Sequence, residues 1–432
     1  MTQMTRALLG EVTPEMKKVA EKERLDVELI REKVAKGFLV IPKNKLRSNV
    51  EPMGIGLGLR TKVNASIGTS PNYPHVEGEL EKLRIATQAG ADTIMDLSTG
   101  GDIDGMRKMS IQNTHLPVGT VPIYQAAIES IEKNGNVVGM TGEQMFKVIE
   151  RQAKDGVDFM AIHCAINQSV IERLKNQGRV TDIVSRGGGF LTGWMIHNEK
   201  ENPLYAEFDR VLEIAKKYDV TLSIGDAIRP GSIADSLDRA QVQGLIFVGE
   251  LVARARKAGV QVMVEGPGHV PVDQIQSTIQ LQKQLCQGAP FFVLGTLVTD
   301  VAPGYDHITS AIGGTLAAWA GADFICYVTP AEHLRLPNGD DVREGVIAAR
   351  IATHAADIAK GIIGAKEWDL EMSKARKALD WEKQIALAID PDKAAKVRAE
   401  RNDSSTKACS MCGNFCAMKV VSEYLGKEQH SC

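Results

Sequence analysis

This 432-residue sequence is poor in several features, and each scarcity excludes a class of protein. It carries 51 Lys and Arg against 54 Asp and Glu, so it has no positive excess for binding nucleic acid. Its apolar runs are well short of the ~20 residues that a membrane span needs. No basic segment followed by an apolar one stands near residue 1, so we expect neither a membrane partner nor a signal peptide. The seven cysteines are an odd number with no spaced pairs outside the C-terminal tail, which predicts a reducing cytoplasm and no disulfide framework.

What the sequence does contain is an alternation of short apolar segments with helical ones. Nine β-branched, apolar segments are strand candidates, and they read VNASIG, TIMDLS, VGTVPI, FMAIHC, DIVSRGG, TLSIGD, QVMVEGP, FFVLGTL and FICYVTP. Alternating strands and helices predict a parallel sheet with right-handed crossovers. The chain is also long enough for a β/α barrel. We therefore expect an α/β fold, a closed (β/α)8 TIM-type barrel with one extra strand; an open doubly wound sheet is the alternative.

The pattern divides the chain into four segments. We predict an N-terminal α+β domain over residues 1–70, the barrel over 71–365, a charged helical linker over 366–400 and a cysteine-rich tail over 401–432. One barrel helix has clear boundaries, because Thr141 and Gln144 fit a capping box and Gly156 fits a helix stop.

Polar residues or glycines follow nearly every candidate strand. They are Asn64, Asp96 to Ser98, Tyr124, His163 and Cys164, Ser185 to Gly188, Asp226 to Arg229, Glu265 to His269, and Tyr327 to His333. The carboxyl ends of barrel strands meet at one mouth, so these residues are expected to converge there. A single histidine of this kind is more often a core residue than a functional one. Eight polar segments in succession favour an active site.

Two features of these segments indicate ligand chemistry. Arg186 beside a glycine run, and Arg229 after the next strand, suit an anionic group such as a phosphate. His269 and His333 each follow a glutamate on a tight turn, which is typical of a zinc site with open positions, and His307 is a third candidate.

The tail places Cys409, Cys412 and Cys416 within eight residues. They could hold a structural zinc that His430 or Cys432 completes. They could equally hold a 4Fe-4S cluster with one iron open to an external ligand, such as S-adenosylmethionine. The spacing alone leaves both interpretations open.

The motifs together resemble those of the phosphomethylpyrimidine synthase family of radical S-adenosylmethionine (SAM) enzymes. The resemblance covers almost the whole chain and rests on MDLSTG, GTVPIYQA, VSRGG, RPGSIAD, EGPGHVP, TDVAPGYDHITSAIG, CYVTPAEHLRLPN and CSMCGNFCAMK. It implies a barrel enzyme that acts on 5-aminoimidazole ribotide and receives an electron from an external donor. It also implies a homodimer in which the tail of one subunit serves the barrel of the other.

The resemblance also implies roles for individual residues. It makes Cys409, Cys412 and Cys416 the ligands of the 4Fe-4S cluster, and it places zinc or another divalent metal on His269 and His333. The substrate contacts that it implies are Asn64, Met95, Tyr124, His163, Ser185, Arg186, Gly187, Asp226, Ala227, Ile228, Arg229, Glu265 and Phe292.

The sequence departs from the thiamine enzymes of this family mainly at positions expected near the mouth. These positions are Ala165, Ala227, Ile228, Phe292 and Thr296, and at Phe292 a family tyrosine is replaced. Such a pattern is closest to the paralogue 5-hydroxybenzimidazole synthase of anaerobic cobalamin lower-ligand biosynthesis. We therefore predict a radical SAM lyase making 5-hydroxybenzimidazole. The alternative is phosphomethylpyrimidine synthase of thiamine biosynthesis, and a more remote one is a zinc-dependent barrel hydrolase with a structural zinc tail.

Overall fold

A computed structural model describes residues 1–401 and 408–425 of the chain. They fall into two compact units, residues 1–360 and the described part of residues 361–432. No helix in the described ranges is long and apolar enough to cross a membrane.

The first unit begins with a small helical segment that has its own core. Its elements are α1 (Gln3–Leu8), α2 (Pro14–Glu23), α3 (Val27–Ala35) and a two-stranded antiparallel sheet of β1 (Leu39–Val40) and β2 (Ile55–Gly56). Met16, Ile30 and Leu39 are fully buried among the apolar residues that hold these elements together. The segment therefore has the α+β character expected of the N-terminal region.

The rest of the first unit is a closed barrel of eight parallel strands, so the fold prediction is confirmed. The strands are β3 (Lys62–Ile67), β4 (Thr93–Asp96), β5 (Val118–Thr120), β6 (Phe159–Ile162), β7 (Thr221–Ile224), β8 (Val262–Gly266), β9 (Phe291–Leu294) and β10 (Phe324–Cys326). They lie in chain order around the barrel, and β10 closes it by pairing with β3. Almost all strand residues are buried, as expected where helices cover the outside of a parallel sheet.

Helices connect the strands and cover the barrel. They are α4 (Val76–Ala89), α5 (Ile103–Gln112), α6 (Pro122–Asn134), α7 (Gly142–Asp155), α8 (Gln168–Gln177), α9 (Arg186–Asn198), α10 (Pro203–Ala206), α11 (Phe208–Tyr218), α12 (Arg239–Lys257), α13 (Val272–Leu285), α14 (Asp306–Ala320) and α15 (Gly339–Lys360). Helix α7 has the predicted capping box between Thr141 and Gln144, and it ends at Gly156 in the left-handed conformation.

Two details of the sequence prediction differ from the structure. The fifth of the nine strand candidates, DIVSRGG, is not a strand: it is a loop that runs into the first turn of α9. Its β-branched residues, Ile183 and Val184, lie in this loop, and the three glycines that follow lie in the first turn of α9. The barrel also begins with β3, inside the range 1–70 that was assigned to the N-terminal domain.

The second unit is helical as far as the structure describes it. It contains α16 (Ala365–Ala378), α17 (Trp381–Leu387), α18 (Pro391–Glu400) and, after the undescribed residues 402–407, α19 (Ala417–Tyr424). The indole N–H of Trp368 donates to the carbonyl of Leu387 at 2.8 Å, and this hydrogen bond joins α16 to the end of α17.

Candidate active site

A cavity at the carboxyl ends of the strands brings together six of the thirteen predicted substrate residues. These six are Met95, Tyr124, His163, Arg229, Glu265 and Phe292. The cavity has about 500 Å³ of empty space. Ser66, Leu97, Val121, Gly266, Val293, Leu294 and Cys326 complete its lining. The lining comes from all eight barrel strands or the segments that follow them, as the barrel prediction required, and the six predicted residues come from six of these. Their contact with substrate stays a prediction.

Arg229 lies near two buried carboxyl groups, Glu265 in the cavity lining and Asp226 outside the lining. Burial raises the pKa of Glu265 to about 7, although the nearby charge of Arg229 opposes the rise. Burial likewise raises the pKa of Asp226 to about 6, again against the influence of Arg229. The backbone N–H of Asp226 donates to the Glu265 carboxylate, which fixes the position of that group. Glu265 can thus take up or release a proton near neutral pH.

His163 is buried against two glycines. A Cβ atom on Gly187 would lie 2.6 Å from the imidazole ring, so this position has no room for a side chain unless the ring moves. One on Gly225 would lie 3.1 Å from the ring, a tight contact. Asn202 donates to the carbonyl of His163 at 3.0 Å and fixes the turn. Burial, together with the charge of Arg229, lowers the pKa of His163 to about 3. The ring is therefore neutral, and its buried Nδ1 has no partner in the described residues.

The glycine run lies at the start of α9, beside the turn that follows β7. Ser185 caps the helix, and its Oγ accepts from the Gly188 N–H at 3.2 Å. A Cβ on Gly188 would lie 2.0 Å from the carbonyl oxygen of Ala227, so the two backbones are in close contact. The guanidinium of Arg186 lies over the Tyr124 ring, 4.9 Å from its centroid. The first N–H groups of a helix and two arginines thus lie near one another, which suits an anion.

Three other predicted residues have their side chains elsewhere. Asn64 is fully buried inside the barrel, where its amide accepts from Thr93 and donates to Ser66 and Cys326. Ala227 and Ile228 are buried and do not line the cavity. Ile228 instead packs toward α12, where a Cβ on Gly244 would lie 2.6 Å from its Cδ1.

Phe292 is the one of the five departing positions that lines the cavity. Its ring stacks on Phe324 at a centroid distance of 4.1 Å, which holds it in place. Ala165 and Thr296 are buried outside the lining. Thr296 has a φ of 83°, in the left-handed region that residues other than glycine seldom adopt.

Seven of the lining residues are outside the predicted set, and Cys326 is the one among them that carries a thiol. Cys326 ends β10, and its sulfur lies 3.4 Å from Ser66 Oγ and 3.3 Å from Asn64 Nδ2. Burial raises the pKa of the Cys326 thiol to about 11, so the group keeps its hydrogen at neutral pH. Its place at the carboxyl end of a strand was the available signal, but the apolar character of the segment suggested core packing.

His269 and His333 lie next to each other, with ring centroids 5.3 Å apart. Nδ1 of His269 is 2.8 Å from Asp300, and Nδ1 of His333 is 3.6 Å from Asp306. Carboxylates on one ring nitrogen are typical of metal-binding histidines, since they orient the other nitrogen toward the ion. The donor set therefore fits a metal, but it supplies two ligands, and in residues 1–401 and 408–425 no three such side chains surround one point. His307 lies 3.8 Å from Glu344 instead.

The three tail cysteines are neighbours within the second unit. The N–H groups of Met411 and Cys412 donate to the Cys409 sulfur and lower its pKa. The pKa of Cys412 is raised by desolvation and also by the nearby Cys409 and Cys416. In a 4Fe-4S cluster each thiolate binds a different iron, so the sulfurs need not surround a single point. The set fits such a cluster; His430 and Cys432, the alternative zinc ligands, are outside the described residues.

Comparison with known proteins identifies the family. Residues 2–423 match the model of the radical SAM ThiC family. The chain is 63% identical over 432 residues to a phosphomethylpyrimidine synthase of Desulforamulus reducens and 64% identical to one of Thermoanaerobacter sp., in each case across all of both chains. It is 62% identical over 426 residues to 5-hydroxybenzimidazole synthase BzaB of Moorella thermoacetica, across 99% of this chain and all of that protein. The chain therefore belongs to the radical SAM ThiC family.

Proposed function

We propose that this chain is a lyase that rearranges 5-aminoimidazole ribotide by radical chemistry. The family implies SAM and an iron–sulfur cluster, and Cys409, Cys412 and Cys416 are the residues that would hold the cluster. When bound, these cofactors supply the one-electron cleavage of SAM that starts the reaction. The family match gives no support to the hydrolase alternative. The observation that carries the proposal is the mouth itself, in which an anion-binding edge adjoins a neutral histidine and a carboxyl group that titrates near pH 7.

Each part of the mouth suits one part of the ribotide. Arg186 and Arg229 would bind the phosphate together with the N–H of Gly187, whereas the N–H of Gly188 is already bonded to Ser185. His163, being neutral, would hydrogen-bond the aminoimidazole without adding a charge. Glu265 would move a proton at the ring or the sugar.

Cys326 has a further role in this proposal. Its protonated thiol lines the cavity from the strand β10. A thiol within reach of a substrate radical can donate a hydrogen atom, and the thiyl radical left on the sulfur would return to the thiol by taking one electron from the external donor and one proton. We include Cys326 among the residues that act on the intermediate, held in place by Ser66 and Asn64.

We further propose that the product is 5-hydroxybenzimidazole. Phe292 carries this part of the proposal, because it lines the cavity without the hydroxyl of the family tyrosine. A site that lacks a hydrogen-bonding group loses its hold on the intermediate that needs it.

Phosphomethylpyrimidine synthase is the second candidate. It is favoured by relatives with that name at 63% and 64% identity over the full chain. The identity to the benzimidazole enzyme, 62%, is so close to these values that sequence identity does not separate the two candidate functions. In this case Phe292 would be a variation that leaves the product unchanged.

Three further parts of the proposal concern the metal, the partners and the cellular location of the enzyme. We propose one divalent metal, zinc by the family resemblance, on His269 and His333, whose rings are 5.3 Å apart. We propose an external electron donor, and a homodimer in which the tail of one subunit serves the barrel of the other. A cytoplasmic location agrees with the free cysteines of the described residues.

Substrate-dependent cleavage of SAM tests the reaction class. Anaerobically reconstituted protein with a strong reductant should form 5′-deoxyadenosine when 5-aminoimidazole ribotide is present. The variant Cys409→Ala should contain little iron and sulfide and should form none. Cys286→Ala is a control, since it removes a buried thiol outside the tail and the cavity. Cleavage that does not depend on the ribotide would contradict the proposed substrate.

A further inference from the structure

Two chain segments form the anion-binding edge of the mouth: the glycine segment, residues 185–188, and the acid–arginine segment, residues 226–229. The glycine segment follows the loop after α8, whereas the acid–arginine segment follows β7. Their mutual position decides whether Arg186 and Arg229 can reach one phosphate together. They approach each other closely at Gly188, where an added Cβ would lie 2.0 Å from the Ala227 carbonyl oxygen.

One buried guanidinium links the loops that carry these segments. Arg179 lies between α8 and α9, and its side chain is completely buried. Its Nε and Nη2 donate to the two carboxylate oxygens of Asp238 at 2.5 and 2.8 Å. Its Nη1 donates to the carbonyl of Ile228 at 2.7 Å, inside the acid–arginine segment. The loop before the glycine segment is thereby attached to the other segment.

Asp238 is itself held in place by further hydrogen bonds. Its carboxylate caps α12, accepting from the Gln241 N–H at 2.7 Å, and it also accepts from Gln177 at 2.6 Å. Nearby, Asp235 accepts from the backbone N–H groups of Val180 and Thr181 at 2.9 and 3.0 Å. The first part of the loop that leads into α9, residues 179–181, is therefore attached to the segment that leads into α12.

We propose that Arg179 and Asp238 are a positioning pair that sets the affinity of the mouth for a phosphomonoester. They do so by holding Arg186 and Arg229 at the spacing that one phosphate requires. A bidentate pair between guanidinium and carboxylate has a fixed geometry, so it can define such a spacing where a single bond cannot. The inference rests on the proposed function, in which the substrate is a ribotide.

For the variant Asp238→Asn, the change in net charge alone predicts the opposite effect on anion binding from the one that positioning predicts. Removing the negative charge of Asp238 makes the region more positive, which by itself would strengthen anion binding. If the pair acts by positioning, Asp238→Asn should weaken anion binding, because the bidentate contact with Arg179 is lost. The sign of the effect therefore separates the two explanations.

The test is calorimetric titration of the full-length protein with ribose 5-phosphate. Wild type should bind, and Arg229→Gln should weaken binding at least 10-fold. We expect Arg179→Gln and Asp238→Asn each to weaken it about 3- to 30-fold, and the double variant no more than the stronger single one, because both remove the same contact. Arg173→Gln and Asp209→Asn carry the same charge changes at exposed positions and should bind as wild type does.

Thermal melting accompanies every titration, and Arg179→Lys replaces Arg179→Gln if the latter does not fold. Lysine keeps the charge but not the bidentate contact, so it should also weaken binding. Equal or tighter binding by a folded Asp238→Asn variant would overturn the inference while leaving the phosphate site in place. Failure of wild type to bind ribose 5-phosphate in a manner that depends on Arg229 would overturn both the inference and the proposed anion site.

Discussion

The variant Phe292→Tyr returns a hydroxyl to the cavity at the one altered position that lines it. The ring is 4% exposed and stacks on Phe324, so the tyrosine ring should keep its place and direct its hydroxyl from the same site. A net hydrogen bond is worth about 0.5–1.5 kcal/mol. If it forms with only one of two competing intermediates, the product ratio should change about 2- to 13-fold toward hydroxymethylpyrimidine phosphate.

Both products are measured by mass spectrometry after anaerobic turnover, with the melting temperature recorded for each protein. Phe190→Tyr is the matched control, because Phe190 packs against Tyr124 at a centroid distance of 6.3 Å but does not line the cavity. It should leave the ratio unchanged. The reasoning is refuted if Phe292→Tyr folds, turns over the ribotide and gives the wild-type ratio.

Three further predictions follow from the geometry of the mouth. Gly187→Ala should raise the KM for the ribotide at least 10-fold, because its Cβ would lie 2.6 Å from the His163 ring. Steady-state kinetics measures this, and an unchanged KM would contradict the placement of Gly187 against His163. Burial raises the pKa of Glu265 from 4.5 to about 7, so the folded protein favours the protonated form. Wild type should therefore lose stability as pH rises from 4.5 through 7, by more than Glu265→Gln does in thermal melts, and parallel curves would contradict the shift. Replacing His269 and His333 together by alanine should remove one equivalent of divalent metal with the melting transition retained, and full metal content in this variant would exclude the site.

The barrel was predictable from the sequence because each strand is short, apolar and followed by polar residues. Strands such as β6 are buried on both faces, which gives a continuous apolar run that is easy to recognise. The DIVSRGG segment was misassigned because its β-branched residues resemble a strand. Its glycines, however, allow α9 to start against His163 and Ala227, a contact between distant residues that local patterns do not contain.

The candidate site was predictable in its residue types more than in its contacts. The histidines and arginines at strand ends could be named in advance, and the structure brings His269 beside His333 across 64 positions of sequence. The role of Arg179 could not be predicted, since it depends on the fold bringing Asp238 and Ile228 to one guanidinium. Cys326 was missed for a related reason, because only barrel closure exposes its sulfur to the cavity.

The measurement that tests the central claim most directly is identification of the product of wild-type protein. The reconstituted enzyme is given 5-aminoimidazole ribotide, SAM and a strong reductant without oxygen, and the products are followed by mass spectrometry and phosphorus NMR. The account predicts 5-hydroxybenzimidazole, which carries no phosphate, so the phosphate of the ribotide must appear outside the product. Hydroxymethylpyrimidine phosphate as the main product, with the phosphate retained, would contradict the role given to Phe292 and would establish the thiamine reaction instead.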